Sequence, residues 1–165
     1  YAIKYSKRPS LVLQRLAIEK DYDSIKYIDS PIEEIQILAI KINYEALRYI
    51  KNATINAEVL AICKNEAAIR FISNIDQEKK ILFLKHNPLV IKYFTTKLPM
   101  ALVEIAFKDV LSKETISEKY VRDFINCDSI NQKNGTISMD KIIFIYKYGS
   151  KVCKKTAVDE KLNMM

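Results

Sequence analysis

The fold is decided by residues 38–50, LAIKINYEALRYI, because this stretch returns every 22 residues. Its equivalents are residues 16–28, 60–72 and 82–94. The copies follow one another without a gap, and they divide the chain into repeats 8–29, 30–51, 52–73 and 74–95. A fixed period of this size is typical of proteins built from stacked structural repeats.

Each repeat is predicted to contain two short helices. The first begins after a capping residue, and the candidates at equivalent positions are Ser30, Asn52 and Asn74, with Thr96 opening the next segment. Ser30 and Glu33 match a capping box with Pro31 at the first helical position. The ten residues that follow are apolar almost all round, which predicts an inner helix buried on every side. The column Leu16, Leu38, Leu60 and Leu82 is therefore expected in the core.

The second helix of each repeat is predicted from a polar column. Asp21, Asn43, Asn65 and Asn87 occupy it. Asn favours the left-handed conformation that ends a helix and also caps the next one. Pro88 follows at the first position of the second helix, as this interpretation requires. The helix covers roughly residues 44–51 and their equivalents, and Ile25 and Ile28 are expected to face inward.

The fold class predicted is all-α: a right-handed-type α-solenoid of four two-helix repeats in residues 1–96, with a C-terminal helical cap in residues 97–165. Arg15 replaces an apolar residue of the other repeats, so the first repeat is expected at the exposed end. The cap is predicted to contain helices at 99–112, 115–127 and 138–148, the last with a buried strand as the alternative. The polar tail, residues 150–165, is expected to be loose.

Composition points to a helical protein of a reducing compartment. The 165 residues include two glycines and carry a net charge of +7, but basic residues exceed acidic ones only thirteen to eleven within residues 8–96. The three cysteines, Cys63, Cys127 and Cys153, are widely spaced, which favours reduced thiols. No signal peptide or membrane span is recognisable, so a cytoplasmic location and no membrane partner are expected.

The repeated unit resembles a family of tandem helical repeats of unknown function, found in bacteria, bacteriophages and large DNA viruses. The motif L-A-[IV]-x-x-[ND]-x-x-[AS]-[IL]-[KR]-[YF]-I carries the resemblance, and the fourth copy departs from it at several positions, Phe83 and Val90 among them. The resemblance covers about half the chain and implies an all-helical repeat fold. It implies no catalytic residue and no named partner.

The residues offer little for catalysis or metal binding, so no enzymatic activity, catalytic residue, cofactor or metal is predicted. His86 is the single histidine and could supply only one base of a catalytic group. Residues 130–141 resemble a calcium loop around Gly135, but Ile130, Gln132 and Lys141 stand where oxygen ligands are needed. A plain turn between two helices is the favoured interpretation.

A ladder of cations and aromatics is the strongest candidate for function. Its cations recur in one column and its aromatics in the next: Lys26, Arg48, Arg70 and Lys92 beside Tyr27, Tyr49, Phe71 and Tyr93. Such pairs suit a protein-binding surface, in which Tyr and Arg are enriched. They also suit phosphate contact with base stacking. The alternative to both is structural, with the aromatics packing between repeats and the cations solvating an edge.

The function predicted is a non-enzymatic repeat protein that binds a macromolecule, with a protein as the favoured partner and nucleic acid as the alternative. The near balance of charge in the repeats favours the protein partner. In a phage or mobile element, such a binder would suit an inhibitor or modulator of a host protein, including a defence nuclease.

Overall fold

The computed structural model describes residues 2–165, and this part of the chain is all-helical, with one isolated bridge between Ile130 and Ile137 in place of any strand. The chain divides into two compact units, residues 1–74 and residues 75–165. The fourth predicted repeat, 74–95, therefore lies almost wholly in the second unit with the C-terminal helices.

The first unit begins with a four-residue 3₁₀ helix (η) and then alternates α-helices with six-residue 3₁₀ helices. Its elements are η1 Ala2–Tyr5, α1 Leu11–Lys20, η2 Tyr22–Tyr27, α2 Glu33–Ile42, η3 Tyr44–Tyr49, α3 Ile55–Lys64 and η4 Glu66–Phe71. Consecutive α-helices contact one another, and so do consecutive 3₁₀ helices, so three α–η pairs stack in order along this unit. The two short helices predicted for each of these repeats are present, and the second is a 3₁₀ helix of six residues, longer than the three or four residues usual for that form.

The second unit contains the fourth α–η pair and four further α-helices. Its helices are α4 Gln77–His86, η5 Pro88–Tyr93, α5 Met100–Leu111, α6 Glu118–Asn126, α7 Lys141–Tyr148 and α8 Lys151–Asn163. Helix α4 packs on α5, and α6 packs on α8. Within the predicted segment 138–148, Lys141–Tyr148 form a helix rather than a strand. The prediction of a loose tail in residues 150–165 is wrong, because α8 is helical there and buries Cys153, Thr156 and Ala157.

The polar column caps the 3₁₀ helices as predicted. The side-chain oxygen of Asn43 accepts the Glu45 N–H at 2.9 Å, and that of Asn65 accepts the Ala67 N–H at 2.9 Å. Asp21 and Asn87 make the same bond. The predicted left-handed conformation is wrong, because these residues are extended, with φ between −150° and −159°. The N–H of each still closes the preceding α-helix, so the chain turns without left-handed backbone.

The N-cap positions of α2, α3 and α4 lie two residues after the predicted caps. The observed N-cap side chains belong to Ser10, Thr54 and Asp76, while Ile32 precedes α2 without a side-chain cap. Ser30 and Asn52 lie outside the helices. Asn74 adopts φ 54°, the left-handed region, at the junction between the units. The observed N-cap residues Ile32, Thr54 and Asp76 have extended backbone, so each α-helix begins only after them.

The core uses the two columns that follow the predicted leucine column. Every member of these two columns is fully enclosed except Ala17, which is half-buried. The members are Ala17, Ile18, Ala39, Ile40, Ala61, Ile62, Phe83 and Leu84. Leu16 is 59% exposed, and Leu38, Leu60 and Leu82 are half-buried, so the leucine prediction is wrong in part. The first helix is also not buried on every side, because Ile42 is 48% exposed at the end of α2.

A buried glutamine joins neighbouring repeats in the first unit. Gln36 is 3% exposed, and its side-chain amide donates to the Pro31 and Asn52 carbonyls at 2.9 and 3.3 Å. Its carbonyl oxygen accepts the Thr54 N–H at 2.9 Å. Extended backbone between the helices leaves these groups without helical partners, and buried polar groups need a bond. Gln36 therefore stabilises the inter-helix segments that the sequence pattern treats as caps.

Candidate binding surface

The ladder residues are the last two positions of each 3₁₀ helix. The residue before each cation points into the core: Ile25, Leu47, Ile69 and Ile91 are all buried. Because the 3₁₀ turn has three residues, the next side chain points away from that core. The cations Lys26, Arg48, Arg70 and Lys92 are accordingly exposed, and the aromatics Tyr27, Tyr49, Phe71 and Tyr93 are half-buried.

In the first unit, cations and rings alternate across repeats. Lys26 Nζ lies 5.1 Å from the Tyr27 ring centroid and 5.7 Å from that of Tyr49 in the next repeat. Arg48 Cζ lies 5.9 Å from the Tyr49 centroid and 4.9 Å from that of Phe71. Each cation is therefore within cation–π distance of a ring from its own repeat and of one from the following repeat. The structure thus brings residues 26, 27, 48, 49 and 71 into one connected surface.

The other members are placed equivalently. Arg70 is exposed at the end of η4. In the second unit, Lys92 Nζ lies 5.7 Å from the Tyr93 ring centroid. The interaction within a repeat is thus repeated in η5, the 3₁₀ helix of the second unit.

Acidic side chains reduce the positive charge of the surface. Asp23 Oδ2 accepts from Lys26 Nζ at 2.6 Å, and this hydrogen bond raises the pKa of Lys26. Burial raises the pKa of the Tyr22 hydroxyl, and the negative charge of Glu45 raises it further. Asp23 and Glu45 thus carry negative charge into the same pair of repeats. A polyphosphate chain lying along these 3₁₀ helices would meet carboxylates as well as cations.

The geometry suits recognition by planar stacking and hydrogen bonding. A guanidinium held on an aromatic face keeps its N–H groups directed outward, and less freedom is lost when it binds a carboxylate or a carbonyl group. Half-exposed tyrosine rings add apolar contact area and a hydroxyl group. Tyr49 and Phe71 also join neighbouring repeats, because each ring contacts the cation of the preceding repeat. Both rings are half-buried rather than enclosed.

A polar pocket of about 400 Å³ lies between α4, α5 and α6 in the second unit, and sequence reasoning missed it. Asp109 Oδ2 accepts from Lys85 Nζ at 2.9 Å and from Lys113 Nζ at 3.4 Å, which lowers the pKa of that carboxyl. His86 also lines it, and burial together with the two lysines lowers its pKa. Ser117 also lines the pocket, and its Oγ accepts the Tyr120 N–H at 3.1 Å as the cap of α6. The contacts of Asp109 and Ser117 are thus explained by ion pairing and capping.

The loop before α7 is held by its own side chains rather than arranged for calcium. Asn131 Oδ1 accepts backbone N–H groups from Lys133, Asn134 and Gly135 at 2.7–3.1 Å. Lys141, at the last position of the calcium-like pattern, donates to the Ile125 and Cys127 carbonyls at 2.5 and 2.9 Å. A cation therefore occupies the place where a calcium loop needs a carboxylate. Among residues 2–165, no cluster of three or more His, Cys, Asp or Glu side chains could hold a metal ion.

Comparisons of the chain with family models, with curated proteins and with solved structures gave no match. The resemblance to the repeat family accordingly stays a prediction. No helix within residues 2–165 has the length and apolar character needed to cross a membrane.

Proposed function

We propose that this chain is a non-enzymatic α-solenoid of four two-helix repeats with a C-terminal helical region, and that it binds a protein through the ladder. The observation that carries the proposal is the alternation of exposed cations and half-buried rings over three repeats. Repeat proteins act mainly through extended surfaces of this kind. A binder of this kind would suit a role as an inhibitor or modulator of a host protein in the cytoplasm.

The choice of a protein partner rests on charge and stacking together. Lys26 is bonded to Asp23, and Glu45 lies in the next repeat, so the surface mixes both signs of charge. Protein interfaces tolerate this mixture because carboxylates and cations find partners across the interface. Stacked arginine and tyrosine also match the residue types that dominate binding energy at such interfaces.

Nucleic acid is the second candidate, and the same ladder supports it. Cations beside accessible rings fit phosphate contact and base stacking. Salt dependence separates the two candidates. Loss of one phosphate contact lowers the log–log salt slope by about 0.7–0.9, with weakening at every nucleic-acid sequence. Loss of a protein contact acts mainly by faster dissociation.

The test compares Arg48→Ala and Tyr49→Ala with Lys41→Ala, which removes an exposed cation from the end of α2. Partner captured from native extract should survive nuclease treatment. The free energy of binding to this partner should weaken by about 2 kcal/mol or more for either ladder variant, as expected at a hot spot. The Lys41 variant should bind as wild type does. Partner that disappears with nuclease supports the nucleic-acid function, and equal binding by all variants contradicts both functions.

A further inference from the structure

A second apolar surface lies in the second unit, between α7 and α8. It is a groove of about 400 Å³, and its apolar lining consists of Ile142, Ile145, Tyr146, Ala157, Val158 and Leu162. On α7 these residues are spaced i, i+3 and i+4. On α8 the lining residues Lys154, Ala157, Val158, Lys161 and Leu162 are spaced i, i+3, i+4, i+7 and i+8. This is the periodicity of a helix face that contacts another helix.

The groove arises because α8 carries two stripes rather than one. One stripe, with Cys153 and Thr156, is buried against the unit. The other leaves Val158 59% exposed and Leu162 63% exposed, and Tyr146 on α7 is 80% exposed. Large apolar side chains gathered in this way, rather than scattered singly, mark an interaction site.

The charge around the groove has one sign. Lys154 and Lys161 line it, and no acidic side chain is among its lining residues in the described chain. The acidic pair of α8, Asp159 and Glu160, lies on the side facing α6, where Glu160 Oε1 accepts from Asn126 Nδ2 at 2.8 Å. The apolar face is thus bordered by positive charge alone.

The two lysines also set a spacing. Lys161 follows Lys154 by seven positions, which is about two turns or ~10.5 Å along α8. A helix lying alongside α8 would meet both lysines with acidic residues seven positions apart on one flank. Its apolar residues would then fill the groove at intervals of three and four.

We propose that this groove binds an amphipathic helix of a protein partner, apolar on the buried face and acidic along the flank next to α8. The proposal concerns a surface separate from the ladder and does not rest on the ladder's function. A second copy of the chain is disfavoured as the occupant, because a symmetric contact would oppose the lysines of the two copies. The concave shape suits a helix better than a flat lipid surface.

The experiment uses the full chain and two labelled 18-residue amphipathic helical peptides that share the same leucine face. One carries glutamate along the flanks with a seven-residue spacing, and the other carries lysine there. Fluorescence anisotropy should show the glutamate peptide binding at least about tenfold more tightly, because its charges complement Lys154 and Lys161. The preference should shrink as salt increases.

Matched variants locate the binding. Lys161→Glu and Leu162→Asp should each weaken the glutamate peptide by about tenfold or more, since each changes an exposed lining residue. Lys155→Glu and Ile143→Asp make the same chemical changes at exposed positions outside the groove lining, and both should bind as wild type does. Circular dichroism should show all four variants folded, because every substituted side chain is exposed.

Three outcomes would overturn the proposal. One is equal affinity for the two peptides. A second is equal loss in the lining and control variants. In the third, neither peptide binds, but the chain associates with itself in sedimentation or with phosphatidylglycerol vesicles, and Leu162→Asp abolishes that association.

Discussion

Two isoleucines in the same helix should differ sharply in their contribution to stability. Ile40 is 0% exposed and Ile42 is 48% exposed, although both belong to the apolar run of α2. Changing either to alanine removes three carbon atoms and gives the same gain in helix propensity. At about 0.8 kcal/mol per buried carbon, Ile40→Ala loses about 2.4 kcal/mol of transfer free energy. A closed cavity raises the total to about 3–4 kcal/mol.

Ile42→Ala should cost only about 1 kcal/mol, because half of the removed surface is already in water and no closed cavity forms. Urea denaturation followed by circular dichroism at 222 nm measures both variants. With a slope of about 2 kcal/mol/M, the midpoint should fall by about 1.5–2 M for Ile40→Ala and about 0.5 M for Ile42→Ala. Equal midpoints for the two variants would refute the assignment of a one-sided core.

Gly135→Ala should destabilise the second unit by about 1–3 kcal/mol, because the added Cβ would lie 2.5 Å from Asn131 N and 2.7 Å from Ile137 O, both backbone atoms. A melting temperature equal to that of wild type would count against this loop geometry. Asn43→Ala should lower the free energy of unfolding by about 0.5–2 kcal/mol through the lost cap of η3, and Asn43→Asp should retain most of the wild-type stability. Thermal melts measure both variants. If the aspartate variant is as unstable as the alanine variant, the cap is not the cause. Native protein at pH 8 should react with a thiol reagent at Cys63 alone. Burial raises the pKa of Cys153 to about 11, so its thiolate is scarce at that pH, and it should react only after unfolding; fast labelling of three thiols in native protein would contradict this burial.

The sequence allowed the helical pairs to be predicted because their determinants are local. Asn43 and its equivalents cap the 3₁₀ helices through a bond to the residue two positions later, and the 22-residue period repeats that bond. The core columns were harder to predict. Leu38 and Ala39 are both apolar, and only the position of the neighbouring helix decides that alanine is enclosed while leucine reaches the edge.

Non-local contacts explain the remaining differences. Gln36 reaches Thr54 in the next repeat, and no spacing rule within one helix signals that bond. The sequence of α8 looks too polar for a packed helix, because the side chains that it buries, Cys153, Thr156 and Ala157, are small or weakly apolar. The ladder column could be predicted from the repeat register, but the stacking of Arg48 on Phe71 depends on the packing of adjacent 3₁₀ helices.

Site-specific photo-crosslinking tests the central claim, that the ladder is the partner-binding surface, most directly. A benzophenone amino acid placed at position 48 reports what touches the ladder, and the same group at Lys41 reports on an exposed position of α2. After irradiation in the native cell, the account predicts a discrete protein adduct from position 48 that persists after nuclease treatment and is absent from position 41. The same adducts from both positions, or nucleic-acid adducts from position 48, would contradict it.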